Sequence, residues 1–250
     1  MINFIEHTEL NPKKETDYCS VLPLSVLNLS HSKKDKIRTG GENYNKQSSR
    51  DSFSCFPENV NELCYDFYLK NSKNIFDPFA GWGERSKKAK EKNKNYFGYD
   101  ISPLAIEYAE KNFNVKNNLG NSLTDEIPLH DGLITCPPYW NLEKYEGEGL
   151  QKNKTWNDFL TSYKKIYSRC LEKSTDQATY CIMVGDWRSK GIYYNLSFET
   201  EKIMLELGMK TFDKLIVSRA NNTKIKILLP QAKKLGYSVK VHEYLFIFKK

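Results

Sequence analysis

The chain has 250 residues, 39% hydrophobic and 13% aromatic, with 38 Lys and Arg against 31 Asp and Glu for a formal net charge of +7. That is enough apolar material for one large domain or two small ones, and it excludes a disordered or fibrous chain. A basic chain with 16 Tyr and 13 Phe suits a nucleic-acid partner, because phosphates attract cations and bases stack on rings. Surplus lysine also makes an ordinary solvated surface, so charge alone leaves both readings open. The six cysteines (Cys19, Cys55, Cys64, Cys136, Cys170 and Cys181) include no C-x-x-C pair and stand apart from the four histidines. This argues against a metal site and against a disulfide framework. No apolar run approaches a membrane span and the N-terminus has no signal-peptide core, so the expectation is a cytoplasmic protein with reduced thiols and no membrane partner.

Residues 1–50 read as a polar extension holding a short apolar island, Val21 to Leu27, and a basic loop from Lys33 to Gly41. Adjacent glycines mark that loop as a solvated linker or as a segment that orders over a ligand. From Pro57 to Leu69 the apolar residues fall at helical spacing. Asn74 to Phe79 then reads as a strand, Glu84 to Asn95 as a helix, Tyr96 to Asp100 as a strand and Pro103 to Phe113 as a helix with proline in its favoured first turn. Leu119 marks a third strand and Asp131 to Cys136 a fourth. Thr155 and Asp158 form a capping-box pattern before an amphipathic helix whose apolar face runs from Phe159 to Cys170. Thr179 to Val184 is the next strand, Ser197 to Leu207 a helix closed by Gly208, and Phe212 to Val217 and Val239 to Phe248 the last two strands. Strands alternating with helices imply a mostly parallel sheet covered on both faces, ending in an antiparallel strand. Residues 51–250 form a single domain on this reading, with 219–236 as a small basic element suited to reading a nucleic acid.

Two short motifs carry chemistry. The first, Phe76-Asp77-Pro78-Phe79-Ala80-Gly81-Trp82-Gly83, sits where a strand ends and a helix begins, and its glycines let the backbone turn tightly beside a ligand. Ser86 occupies the place of a third glycine, which weakens a dinucleotide reading. The second, Thr135-Cys136-Pro137-Pro138-Tyr139-Trp140, also follows a strand. Two prolines stiffen a loop and remove two donors, leaving carbonyls as acceptors, and the aromatic behind them offers a stacking face. Those are the needs of a site that receives a flipped-out base. A rigid turn at a sheet edge is the plainer alternative.

In this order the two motifs resemble the cofactor and catalytic loops of S-adenosylmethionine-dependent DNA amino-methyltransferases, which modify adenine N6 or cytosine N4. The resemblance runs over about residues 54 to 249. It implies a seven-stranded Rossmann-like methyltransferase sheet, S-adenosylmethionine as cofactor, DNA as partner with a base flipped into the site, and no metal. It places Asp77, Phe79, Gly81 and Gly83 at the cofactor and Asp100 on the ribose hydroxyls. Asn121 or Ser122 falls near the adenine, and Phe56 and Pro57 near the methionine end. Cys136, Pro137, Pro138 and Tyr139 become the catalytic loop, with Tyr139 as the stacking ring and 141–151 as a substrate loop.

The family has Asp, Asn or Ser where this chain has Cys136, and a thiol is a weak acceptor. A cysteine nucleophile would suit methylation at pyrimidine carbon 5, but that family places Cys after Pro and no neighbouring base activates the thiol here. The leading expectation is a DNA methyltransferase on an exocyclic amine, adenine slightly ahead of cytosine. It would be a stand-alone or phage-type modification enzyme, since there is little room for a large recognition domain. An RNA methyltransferase and a non-catalytic nucleic-acid-binding protein remain open beside it.

Overall fold

The computed structural model describes residues 24–28, 56–141, 149–219 and 224–250. Its elements in chain order are β1 (Val26–Asn28), α1 (Glu58–Leu63), β2 (Asn74–Asp77), α2 (Glu84–Glu91), β3 (Asn95–Asp100), α3 (Pro103–Phe113), β4 (Asn118–Leu119) and β5 (His130–Thr135). They continue with α4 (Trp156–Glu172), β6 (Ser174–Val184), β7 (Trp187–Ser189), β8 (Ile192–Tyr194), α5 (Leu196–Glu206), β9 (Lys210–Ser218), α6 (Lys224–Leu235) and β10 (His242–Lys249). One eight-stranded sheet has the order β1-β9-β10-β6-β5-β2-β3-β4, and β7 with β8 makes a separate two-stranded ribbon. Strands β2 to β6 pair in parallel, while β10 runs antiparallel to both β6 and β9. This is the expected methyltransferase-like sheet with one strand more than expected. The eighth is β1, from the end of the apolar island: it pairs in parallel with β9, and Leu27 is buried.

Both faces of the sheet are covered, so neighbouring residues on a strand enter different cores. Phe76, Leu133, Tyr180, Ile182, Phe246 and Phe248 join one cluster with Phe159, Tyr163 and Tyr167 of α4. Ile75, Ile134, Cys181, Met183, Leu245 and Ile247 join the other with Val60, Leu63 and Cys64. Side chains alternate across a strand, and two buried faces therefore read in sequence as unbroken apolar runs.

Local chemistry fixes several helix ends. The Ser102 hydroxyl accepts the amide of Ala105 at the start of α3, and Asn114 closes that helix in a left-handed conformation. The capping box at Thr155 and Asp158 is formed in both directions. The helix after Pro57 widens into a single π turn over Cys64–Tyr68. The stretch 219–236, read as a small basic element, contains α6, with Pro230 inside it.

Gly83 caps α2 with φ of 99°, and a Cβ there would lie 2.6 Å from Cβ of Ala109 in α3. Helices α2 and α3 are thus brought together by a missing side chain. We expect Gly83→Ala to cost about 1–3 kcal/mol, the range for overpacking, measured by urea unfolding. An unchanged midpoint would mean that the two helices separate freely.

Candidate active site

The chain leaves the centre of the sheet at β2 toward β3 and β4, then returns to the other side of β2 as β5. In open α/β sheets such a reversal opens a crevice at the carboxyl ends of the strands. Asp77 ends β2 and Thr135 ends β5, so both motifs meet at this crevice.

Asp77 is fully buried and accepts four hydrogen bonds. Oδ1 takes the Thr135 hydroxyl at 2.6 Å and the Phe79 amide at 3.0 Å. Oδ2 takes Nε of Arg85 at 2.6 Å and the Tyr96 hydroxyl at 2.8 Å. Arg85 also donates to the Phe79 carbonyl at 2.6 Å and lies over the Phe56 ring at 4.9 Å. Burial works against its charge, but Asp77 holds its pKa above the ordinary arginine value. Helix α1 and the π turn after it brace the same corner, with Asn61 and Tyr65 donating to the carbonyls of Glu84 and Arg85. Asp77, expected at the cofactor, has its acceptor positions filled by protein donors and frames the loop. Phe56 is likewise buried beneath Arg85, supporting the site from behind.

The glycine loop itself is open at Gly81. Gly81 has φ of 58°, and nothing lies closer than 3.9 Å to a Cβ built on it. Its amide donates to Oδ2 of Asp100 at 2.7 Å, while Oδ1 of Asp100 accepts the Ser102 amide at 2.9 Å. Burial raises the Asp100 pKa, and these two amides pull the other way. Two amides leave acceptor capacity on the carboxylate. The Ser122 hydroxyl donates to the Pro78 carbonyl at 2.9 Å, so it ties the third loop to the first. Asn121 accepts the Leu123 amide through its side chain and donates its own amide to Asp125. Arg169 of α4 holds this turn, donating to the carbonyls of Ser122, Thr124 and Asp125.

Beyond Thr135, Cys136 is partly exposed, with Arg85 and Arg219 both near enough to interact with it electrostatically. Tyr139 stacks on Trp187 at 5.4 Å between ring centres, and Trp187 stacks on Tyr194 at 5.2 Å. Trp140 and Trp156 close this aromatic box against Tyr194, with Nε1 of Trp140 donating to the Asn153 carbonyl at 2.8 Å. On the other side stand Glu243 and Arg219, paired at 2.8 Å. Burial raises the Glu243 pKa, while Arg219, Lys240 and a hydrogen bond from Tyr139 lower it. Sequence reasoning missed Trp187, Tyr194 and Glu243 as members of the site and had Arg219 only as the first residue of the basic element 219–236; they come from β7, β8, β10 and the residue after β9.

The family model described as a DNA methylase, for N6 and N4 methyltransferases, matches residues 7–111. The match supports the amino-methyltransferase family. It covers the cofactor loop and Asp100 and stops before the Pro-Pro loop. No curated protein sequence matches the chain. Among solved structures, TrmN from Thermus thermophilus is similar at a TM-score of 0.51 and 10% identity, over 78% of this chain and 49% of that one. This chain therefore spans about half the length of TrmN. The N-methyltransferase NodS from Bradyrhizobium japonicum WM9 is similar at a TM-score of 0.50 and 12% identity, over 73% of this chain and 89% of that one. These likenesses show the fold, and the family match supports a methyltransferase activity.

One carboxylate thus connects the glycine loop and the Pro-Pro loop. Ser54, Cys55 and most of the expected substrate loop, residues 142–148, lie outside the described residues, as does the N-terminal basic loop. Among the described residues no group of three or more His, Cys, Asp or Glu could hold a metal, and no helix is long and apolar enough to cross a membrane. We expect Asp77→Ala to cost about 3–5 kcal/mol, because it strands Arg85 as an unpaired buried charge. Thermal unfolding measures the loss. A double variant Asp77→Ala with Arg85→Met should recover part of it, and no recovery would show that the charge pair is not the cause.

Proposed function

We propose that the protein transfers a methyl group from S-adenosylmethionine to an exocyclic amine of a DNA base, with adenine the first target and cytosine the second. The observation that supports this is the single buried carboxylate joining a glycine loop to a Pro-Pro-Tyr loop at the switch point of the sheet. The residues present fit the cofactor: an open backbone at Gly81, a carboxylate with spare acceptor capacity at Asp100, and a braced turn at Asn121 and Ser122. Asp100 would accept the ribose hydroxyls, as an ionised acceptor binds a vicinal diol more strongly than a neutral one. Gly81 and Phe79 would line the loop, with Gly83 setting its turn, and Pro57 and Phe56 would back the methionine end.

Bound, the cofactor supplies an electrophilic methyl group. An exocyclic amine conjugated to its ring is a poor nucleophile, and two fixed acceptors for its protons draw its lone pair out of conjugation. The Pro137 carbonyl supplies one acceptor. Cys136 stands where the family has a stronger side-chain acceptor, so a backbone carbonyl of the same loop, stiffened by Pro138, would accept the hydrogen bond from the second N–H. Tyr139 receives the base, its ring positioned by Trp187 and its hydroxyl by Glu243. This scheme requires no covalent bond from Cys136 to the base.

Tritiated methyl transfer to DNA and to RNA, followed by nucleoside mass spectrometry, tests the reading. Methylated adenine or cytosine amines in DNA are the expected product. Preference for RNA would move the activity to that substrate, and DNA binding without transfer would make the protein a reader. Asp100→Ala should weaken cofactor binding by about 1.5–3 kcal/mol, the value of a hydrogen bond to a charged group, and calorimetry with equal affinity in a folded variant would remove Asp100 from the site.

Cys136→Ser should retain activity, while Tyr139→Ala should lose about 1–3 kcal/mol of base stacking with the cofactor still bound. A dead Cys136→Ser enzyme together with an adduct trapped on 5-fluorocytosine DNA would make the thiol a nucleophile toward carbon 5.

A further inference from the structure

The ribbon β7–β8 is not part of the main sheet and has no role in the scheme above beyond its base. Its pairs are Trp187 with Tyr194, Arg188 with Tyr193, and Ser189 with Ile192. The turn is Lys190-Gly191, with φ of 50° and 82°, and positive φ at both turn residues gives the tight hairpin that matches strand twist. Alternation along a strand puts Trp187, Tyr194, Ser189 and Ile192 on one face. The base of that face, Trp187 and Tyr194, is the stack that carries Tyr139. Ile192 continues the same face toward the tip and is 58% exposed.

The opposite face is cationic and rigid. The Arg188 guanidinium lies 4.9 Å from the Tyr193 ring and 5.2 Å from the Tyr237 ring. Tyr193 donates to Asp186 at 2.9 Å, and Lys240 pairs with the same carboxylate at 3.0 Å. These contacts join the hairpin to the chain that follows α6. Residues 187–198 and 214–242 together contain no Asp or Glu and carry nine Lys and Arg. Lys214, Arg219 and Lys240 are committed to ion pairs, whereas Arg188, Lys190, Lys233 and Lys234 are exposed. An exposed aliphatic tip, flanked by cations and cantilevered from the catalytic aromatic stack, has the chemistry to enter a base stack between two phosphate backbones.

We propose that the β7–β8 hairpin is a duplex-DNA surface in which Ile192 wedges into the base stack beside the target while Arg188 and Lys190 meet the phosphates. This rests on the DNA-methyltransferase reading and adds how the duplex is opened. An extruded base leaves a gap whose unstacking costs a few kcal/mol, and an apolar wedge recovers part of it. A wedge therefore matters for duplexes and not for strands that are already open.

The test is tritiated methyl transfer by wild type and Ile192→Ser to a random-sequence duplex pool and to the same pool as single strands. Ile192→Ser should lower transfer to duplex about tenfold or more, the equivalent of one unstacking contribution of over 1.4 kcal/mol, and transfer to single strands by less than about twofold. Equal losses on both pools, or none, would overturn the wedge while leaving the methyltransferase reading intact. Wild-type transfer to neither pool would instead overturn the reading itself and the wedge with it. Lys190→Glu, in a turn where nothing lies within 4 Å of a Cβ at Gly191, should weaken duplex binding and flatten its salt dependence by about one or two phosphate contacts. Unchanged duplex binding, preferential loss of RNA binding, or a changed sedimentation coefficient with DNA binding intact would assign the hairpin to no nucleic acid, to RNA, or to a protein contact, and each would overturn the proposal.

Discussion

The buried carboxylate of Asp77 is the constraint on which the rest of the site depends. A charge removed from water is tolerated only when its lone pairs are filled, and here four donors from four parts of the chain fill them. The Phe79 amide fixes the turn of the glycine loop, Arg85 the first turn of α2, Tyr96 the neighbouring strand β3, and Thr135 the end of β5. The Pro-Pro loop begins at the next residue. Any displacement of one loop would leave a donor or an acceptor unpaired in a dry corner, so the glycine loop and the Pro-Pro loop move together or not at all. Such coupling suits a reaction in which a donor carbon and an acceptor nitrogen must be held in near-attack geometry.

Around that corner the site is divided by chemistry. Toward β3 and β4 it is backbone-lined and polar, with Gly81, Asp100 and the turn held by Arg169. Toward β6 and β10 it is aromatic, with Tyr139, Trp187, Tyr194, Trp140 and Trp156 in mutual ring contact. The Glu243–Arg219 pair forms its floor, close to Gly185, where a Cβ would lie 3.0 Å from Cγ of Glu243 and 3.2 Å from the Tyr139 hydroxyl. Glycine at that point lets the tyrosine hydroxyl and the carboxylate meet. The aromatic side is assembled from the catalytic loop, the N-terminus of α4 and the hairpin, three segments separated in sequence.

Much of this was legible in the sequence because it rests on local rules. Helix α3 runs from Pro103 to Phe113 as its proline and periodicity require, the Thr155 capping box forms, and the strand–glycine–helix order places Asp77, Gly81, Gly83 and Asp100 together. Strand ends were less exact. The Asn74 strand stops at Asp77, two residues early, because the Asp77 side chain captures the Phe79 amide and turns the chain.

What sequence alone determined was the fold class, the order of the two loops and the identity of the glycines, each set by periodicity or by a conformation that few residues adopt. Tertiary structure decided the rest, since it concerns pairs distant in the chain. Val26 and Leu27 of the apolar island, with Asn28, became an eighth strand because β9 presented an open edge to them. Asp77 braces the two loops because donors 2, 8, 19 and 58 residues away converge on it. The short strands of the hairpin were too brief to show a period, and their role rests on what Trp187 and Tyr194 stack against. A carboxylate's partners and a ring's neighbours are set by packing, and no local pattern in the sequence encodes them.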